Sequence, residues 1–91
     1  MKPTEIQFAL NLEALAAPQC RRIVEALVQD SQTLSDLAKQ CKLTPASIEK
    51  HLDILVRSGL VKIRTVEGSK KAHLQASKFK PTLDWFYKIS N

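Results

Sequence analysis

Cys20, Cys41, His51 and His73 are the side chains of this 91-residue chain that could ligate a transition metal or serve as nucleophile or base. Their spacing argues against both uses. A zinc or arsenic site needs its ligands clustered, as paired cysteines or histidines a few residues apart. Here the four are scattered over four segments, and no Cys-x-x-Cys occurs. His51 has no serine, cysteine or carboxylate placed with it as a triad, so no catalytic role is expected. Neither a metal nor any other cofactor is expected. Cys20 stands at a helix start beside Arg21 and Arg22, where a thiol could have a lowered pKa and act as a redox sensor. The plainer reading makes both cysteines small buried residues with free thiols, as in a reducing cytoplasm.

What remains is hydrogen-bonding and cationic chemistry. Thr44, Ala46, Ser47, Lys50 and His51 lie within eight residues, and Lys62, Arg64, Ser69, Lys70 and Lys71 follow. From Lys39 to Lys80 there are ten basic and three acidic residues, a net of +7. The rest holds four basic and six acidic residues, a net of −2, so the chain's overall +5 belongs to one part of it. A localised excess of this sign suits a polyanion, either nucleic acid or an anionic membrane surface. No apolar run approaches 18 residues and no secretory leader is recognisable, so a cytoplasmic protein with no membrane partner is expected.

These residues need elements to carry them. With 44% hydrophobic and 25% charged residues, two glycines and four prolines, the chain fits one globular domain spanning residues 1–91. Thr4 to Leu15 reads as a helix with Ile6, Phe8, Leu10, Leu12 and Leu15 spread over more than one side, suited to a dimer interface as well as to a core. Ala16-Ala17-Pro18 breaks it, and Pro18 opens a second helix with Ile23, Val24, Leu27 and Val28 as a buried stripe, ending near Asp30-Ser31. Thr33 or Ser35 caps a third helix with Leu34, Leu37 and Ala38, which ends near Cys41-Lys42. Leu43 is placed to pin the flanking helices together. Thr44 and Pro45 then form a strong helix start. Ile48, Leu52, Leu55 and Val56 make the inner side of this fourth helix, and Ser58-Gly59 ends it.

After Gly59 the pattern becomes β-favouring. Leu60, Val61, Ile63 and Val66 alternate with polar residues, Glu67-Gly68-Ser69-Lys70 is a turn, and Ala72, His73 and Leu74 resume an extended run. Phe79 to Ile89 reads as a last helix with Leu83, Phe86 and Ile89 on one stripe and Trp85 beside it. The expected order is four helices, a two-stranded hairpin and a helix. This is a mainly α fold with a small β-hairpin.

The third and fourth helices, joined by a four-residue turn, match a helix-turn-helix over residues 33–59. Ile48, Leu52 and Leu55 turn inward, which leaves Thr44, Ala46, Ser47, Lys50 and His51 at the start or on the outer side of the second helix. Hydroxyls, an ammonium and an imidazole there suit base edges and phosphates in a major groove, and the helix N-terminus attracts phosphate. The hairpin over residues 60–75 is a basic ribbon for the backbone or minor groove, through Lys62, Arg64, Ser69, Lys70 and Lys71. The competing function is a protein-interaction domain of the same shape that binds no DNA.

Several segments together resemble the arsenic-repressor (ArsR-type) winged helix-turn-helix regulators. The segment Leu15–Val24 looks like their "L-x-x-P-x-R-x-x-I-L" opening, and Leu34-Ser35-Asp36-Leu37-Ala38 resembles their support helix. Ile48–Leu55 is similar to their "V-S-x-H-L-x-x-L" recognition helix, and Ser58-Gly59-Leu60-Val61 to their "A-G-L-V" start of the wing. The resemblance runs from about Leu12 to Leu74. It implies a homodimeric regulator, usually a repressor, on an imperfect palindrome of double-stranded DNA. Helices over residues 1–15 and 78–91 would pair across the two-fold axis and set two recognition helices about 34 Å apart. Two departures stand out. Glu49 occupies a position where the family often has serine, and the family's metal ligands in the support and last helices are absent, so the resemblance brings no metal site and no evident effector.

Overall fold

The structure is a computed structural model that describes residues 1–90. Five helices form: α1 (Pro3–Leu15), α2 (Pro18–Gln29), α3 (Leu34–Cys41), α4 (Pro45–Ser58) and α5 (Lys80–Ser90). The strands are β1 (Gln32–Thr33), β2 (Val61–Val66) and β3 (Ser69–Leu74), and a single 3-10 turn over Ala76–Phe79 leads into α5. Three helices start on a proline, Pro3, Pro18 and Pro45, where the missing N–H costs no hydrogen bond.

The hairpin expected over residues 60–75 is present, but it belongs to a three-stranded antiparallel sheet in the order β1-β3-β2. Gln32 pairs with Ala72 and Thr33 with Lys71. This third strand corrects the expected order. Two residues are too few to show any alternation, so no period could reveal it. The wing turn is also tighter than expected. Glu67 and Gly68 alone form it, at φ of 49° and 79°, and Ser69 already lies in β3. Positive φ at both central residues is the primed turn whose twist suits a two-residue hairpin.

The core sits where α2, α3 and α4 meet the sheet. It comprises Cys20, Ile23, Ala26 and Leu27, then Leu37 and Cys41, then Ile48, Leu52 and Leu55, with Leu60, Val61 and Ala72 beneath. Each large aliphatic here contributes roughly 1.5–3 kcal/mol by leaving water. Two residues expected inside are not. Val28 is 63% exposed and Val56 lies at the surface. Both fall toward the trailing end of their helices, on the flank that no neighbouring element covers.

α1 reverses the expected pattern. Its innermost residues are Asn11, fully buried, and Ala14, while Ile6 and Leu12 face out. Asn11 Nδ2 donates to the Lys78 carbonyl at 2.8 Å and to Thr82 Oγ1 at 3.0 Å. Its Oδ1 accepts from Gln7 Nε2 at 2.8 Å, and the same nitrogen donates to the Ser58 carbonyl at 2.8 Å. One hydrogen-bonded chain therefore joins α5, α1 and the end of α4. Buried amides must be satisfied in this way or cost on the order of 1–3 kcal/mol each.

Candidate nucleic-acid interface

Residues 42–44 join α3 to α4, one fewer than expected, and the backbone explains the sharpness of the turn. Thr33 Oγ1 accepts from the Asp36 N–H at 3.2 Å and starts α3. Lys42 ends it in the left-handed region, at φ 56°, and the Leu43 N–H returns to the Ala38 carbonyl at 3.0 Å. That bond carries Leu43 against the core. Thr44 Oγ1 then accepts from the Ser47 N–H at 3.1 Å and caps α4. At the far end Gly59 adopts φ 87°, and the Leu60 N–H bonds the Leu55 carbonyl at 3.1 Å, which drives Leu60 into the core. α4 is thus fixed at both ends.

Its exposed stripe reads Ala46, Glu49, Lys50, Asp53, Val56 and Arg57, with Thr44 exposed at the cap. His51 is not on it. The imidazole is only 9% exposed, which corrects the outward placement read from the sequence. Its Nδ1–H donates to the Ser47 carbonyl at 2.7 Å, and Ser47 Oγ lies 3.3 Å from the same nitrogen. The His51 carbonyl accepts from the Cys20 thiol at 3.7 Å. Ser47 is half-buried. Of the five residues expected at the groove, Thr44, Ala46 and Lys50 are exposed, whereas Ser47 and His51 are engaged with each other. Glu49 and Asp53, two carboxylates, share the exposed stripe, and periodicity alone does not single out Asp53.

The register of the wing sorts its cations. Lys62 stands opposite His73 and Arg64 opposite Lys71, so Lys62, Arg64 and Lys71 share the face away from Val61, Ile63 and Ala72. Lys70, opposite Thr65, takes the other face near the tip, and Ser69 is exposed beside it. Arg64 directly across from Lys71 is a like-charge pair, which costs stability in a sheet. Among the described residues none of Lys50, Lys62, Arg64, Lys70 and Lys71 has an ion-pair partner; the ion pairs join Arg57 to Asp53 and Lys80 to Asp84. On the same face as Lys62, His73 Nε2 is buried with no hydrogen-bond partner among the described residues.

The thiols lie inside. Burial pushes the pKa of Cys20 up, and the neighbouring arginines do not oppose it. Arg21 Nη1 instead donates to the Leu15 and Ala16 carbonyls at 2.6 and 3.1 Å, and Arg22 Nη1 to the Cys41 carbonyl at 3.4 Å. Both guanidiniums cap neighbouring helix ends. Burial also raises Cys41, with Arg22 opposing and Glu25 adding to the shift. The activated thiol considered for Cys20 is therefore corrected to a packed one. Among the described residues no three His, Cys, Asp or Glu side chains stand close enough to hold a metal. None of the described helices is long and apolar enough to cross a membrane.

With a helix pair, a three-residue turn and a capped second helix in place, the model of the helix-turn-helix domain family matches residues 15–64. The chain belongs to that family. The match covers α2 to the middle of β2. Solved structures extend the likeness to the whole fold. An ArsR-like transcriptional regulator from Rhodococcus sp. RHA1 superposes with a TM-score of 0.86 at 24% identity, over 98% of this chain and 84% of that one. The transcriptional repressor BigR from Xylella fastidiosa gives 0.72 at 23% identity, covering 89% and 83%. The homodimeric winged helix-turn-helix DNA-binding domain Mb0332 from Mycobacterium bovis gives 0.74 at 19%, covering 91% and 79%. At these identities the likeness establishes the fold, that of the ArsR-type winged helix-turn-helix regulators. No curated protein matches the chain in sequence. In this helix-turn-helix, α3 is the supporting helix, α4 the exposed second helix, and β2–β3 the wing.

Proposed function

We propose that the chain is a DNA-binding transcription regulator that acts as a homodimeric repressor on a palindromic operator. In this reading α4 enters the major groove and presents Thr44, Ala46 and Lys50, with Ser47 and His51 setting its shape from within. The wing lies on the backbone or in the minor groove through Lys62, Arg64, Ser69, Lys70 and Lys71. The observation that carries the reading is the wing: Arg64 is held across from Lys71 with no carboxylate partner for either among the described residues. A fold that tolerates this repulsion gains from an anion that relieves it. Transcription regulators and a repressor of the same fold support the assignment.

The dimer rests on exposed apolar side chains of the terminal helices. Ile6 and Leu12 of α1 and Leu83, Trp85, Phe86 and Ile89 of α5 all face outward. Phe8 and Trp85 meet at a tilt with ring centroids 5.4 Å apart beside an open groove of about 650 Å³ between α1 and α5. A patch of this kind marks an interaction surface. The homodimeric relative supports a second copy as its occupant. The protein works in the cytoplasm, where buried thiols such as Cys20 and Cys41 stay reduced.

Titration of duplex DNA at several salt concentrations tests the assignment. Affinity is expected to fall with salt, with a log–log slope of about −0.9 for each phosphate contacted. The carboxylates of Glu49 and Asp53 on the exposed stripe favour the alternative, a protein-interaction domain. Absence of duplex binding at low salt would defeat the DNA-binding reading.

A further inference from the structure

After Pro45 at its start, α4 brings outward Ala46, Glu49, Lys50 and Asp53 as far as its third turn. Ala46 offers a methyl group. Asp53 Oδ2 is held 3.1 Å from Arg57 Nη2, one turn further on, so its charge is matched on its own helix. Glu49 differs. It is exposed, and among the described residues it has neither a hydrogen bond nor an ion pair with Lys42, Lys50 or any other group. Ser47 and His51 are half-buried or buried and meet through His51 Nδ1, so neither projects as these four do. The charged groups among these four with no ion-pair partner among the described residues are therefore one acceptor, Glu49, and one donor, Lys50.

A carboxylate in a major groove repels phosphate on every sequence. It recovers that cost only where a base presents a donor, and the donors there are the exocyclic amines of cytosine and adenine. Adenine sets its N7 acceptor beside its amine, which opposes a group that can only accept. Cytosine has no acceptor on that edge. The guanine O6 and N7 of a C·G pair, in turn, suit the Lys50 ammonium. We propose that Glu49 is a base-reading residue that accepts a hydrogen bond from the cytosine N4 amine, making a C·G pair at one position of each half-site a requirement. The inference rests on the DNA-binding reading above and adds its specificity.

The test is selection from a random duplex library with the wild type, Glu49→Ala and Glu49→Gln, each checked for folding by circular dichroism. The wild type is expected to enrich C·G at one position per half-site. On synthetic duplexes, replacing that pair by T·A should weaken wild-type binding roughly tenfold. Glu49→Ala should lose the preference at that position alone while binding unrelated duplex several-fold more tightly. Glu49→Gln, which can both donate and accept, should move the preference toward A·T. Identical motifs from all three proteins would overturn the proposal. So would a Glu49→Ala variant that gains general affinity and keeps the cytosine, because Glu49 would then only repel. A folded wild type that binds no duplex at low salt would overturn the DNA-binding reading itself, and the inference with it.

Discussion

Around α2, α3 and α4 the buried side chains include Ile23, Leu27, Leu37, Ile48, Leu52 and Leu55, and the outer ones, Val28 and Val56 apart, are mostly polar or charged. Between α1 and α5 the arrangement is reversed. Asn11 and Thr82 are inside, and Ile6, Leu12, Leu83, Phe86 and Ile89 are outside. The central helices close their apolar surface within one chain. The terminal pair holds itself by hydrogen bonds and leaves its apolar surface for something else. The pattern teaches that α1 and α5 are incomplete alone, whereas the helix-turn-helix is not.

Substitutions can break that contrast. Leu55→Ala, in the fully buried centre, should lower the unfolding free energy by about 3 kcal/mol in urea denaturation. A loss below about 1 kcal/mol would mean the core lies elsewhere. Asn11→Leu should cost about 2 kcal/mol although leucine is the more hydrophobic residue, because it leaves the Lys78 carbonyl and Gln7 without their partner. A gain in stability would show that the terminal pair prefers an ordinary apolar core. Phe86→Ser should leave the monomer's far-ultraviolet spectrum unchanged and weaken self-association at least tenfold in sedimentation, about 1.4 kcal/mol. Unaltered association would remove α5 from the dimer.

The smallest expected effect concerns the thiols, both of which lie in the central region. Folding raises the pKa of Cys20 and Cys41, so the folded state favours the protonated form. Their contribution is complete below the unfolded pKa of about 8.5 and is lost as pH climbs from there through the folded values. Stability should therefore decline modestly in alkali, and alkylation at pH 8 should be slow at both thiols. Fast labelling of Cys20 alone would revive it as a sensor.

The helix-turn-helix was legible because its signals are local. Thr44-Pro45 and Gly59 mark the ends of α4, and a left-handed C-cap or a hydroxyl cap needs no knowledge of the partner. The facing of side chains was harder to read. At about 100° per residue, His51 lies roughly 60° from Ile48 on the wheel and Val56 about 80° on the other side. Sequence alone does not say which flank a neighbouring helix covers. α2 covers the His51 flank, where Cys20 reaches the His51 carbonyl. In α1 the strongest apolar signal misled, since Gln7, Asn11 and Ala14 form the inward stripe while Ile6 and Leu12 are turned outward. β1 left no trace because its two residues gain their strand geometry only from β3.

β2 ends the sheet with one edge unpaired, since β3 alone borders it. A six-residue strand with a free row of N–H and C=O groups is a template for another chain. Lys62 and Arg64 are exposed on that strand and discourage such recruitment. The cations proposed to meet phosphate thus also act as gatekeepers against aggregation. Neutral replacements in the wing should be polar, as in Lys62→Gln and Arg64→Gln. An apolar replacement would loosen DNA and invite fibrils in the same stroke.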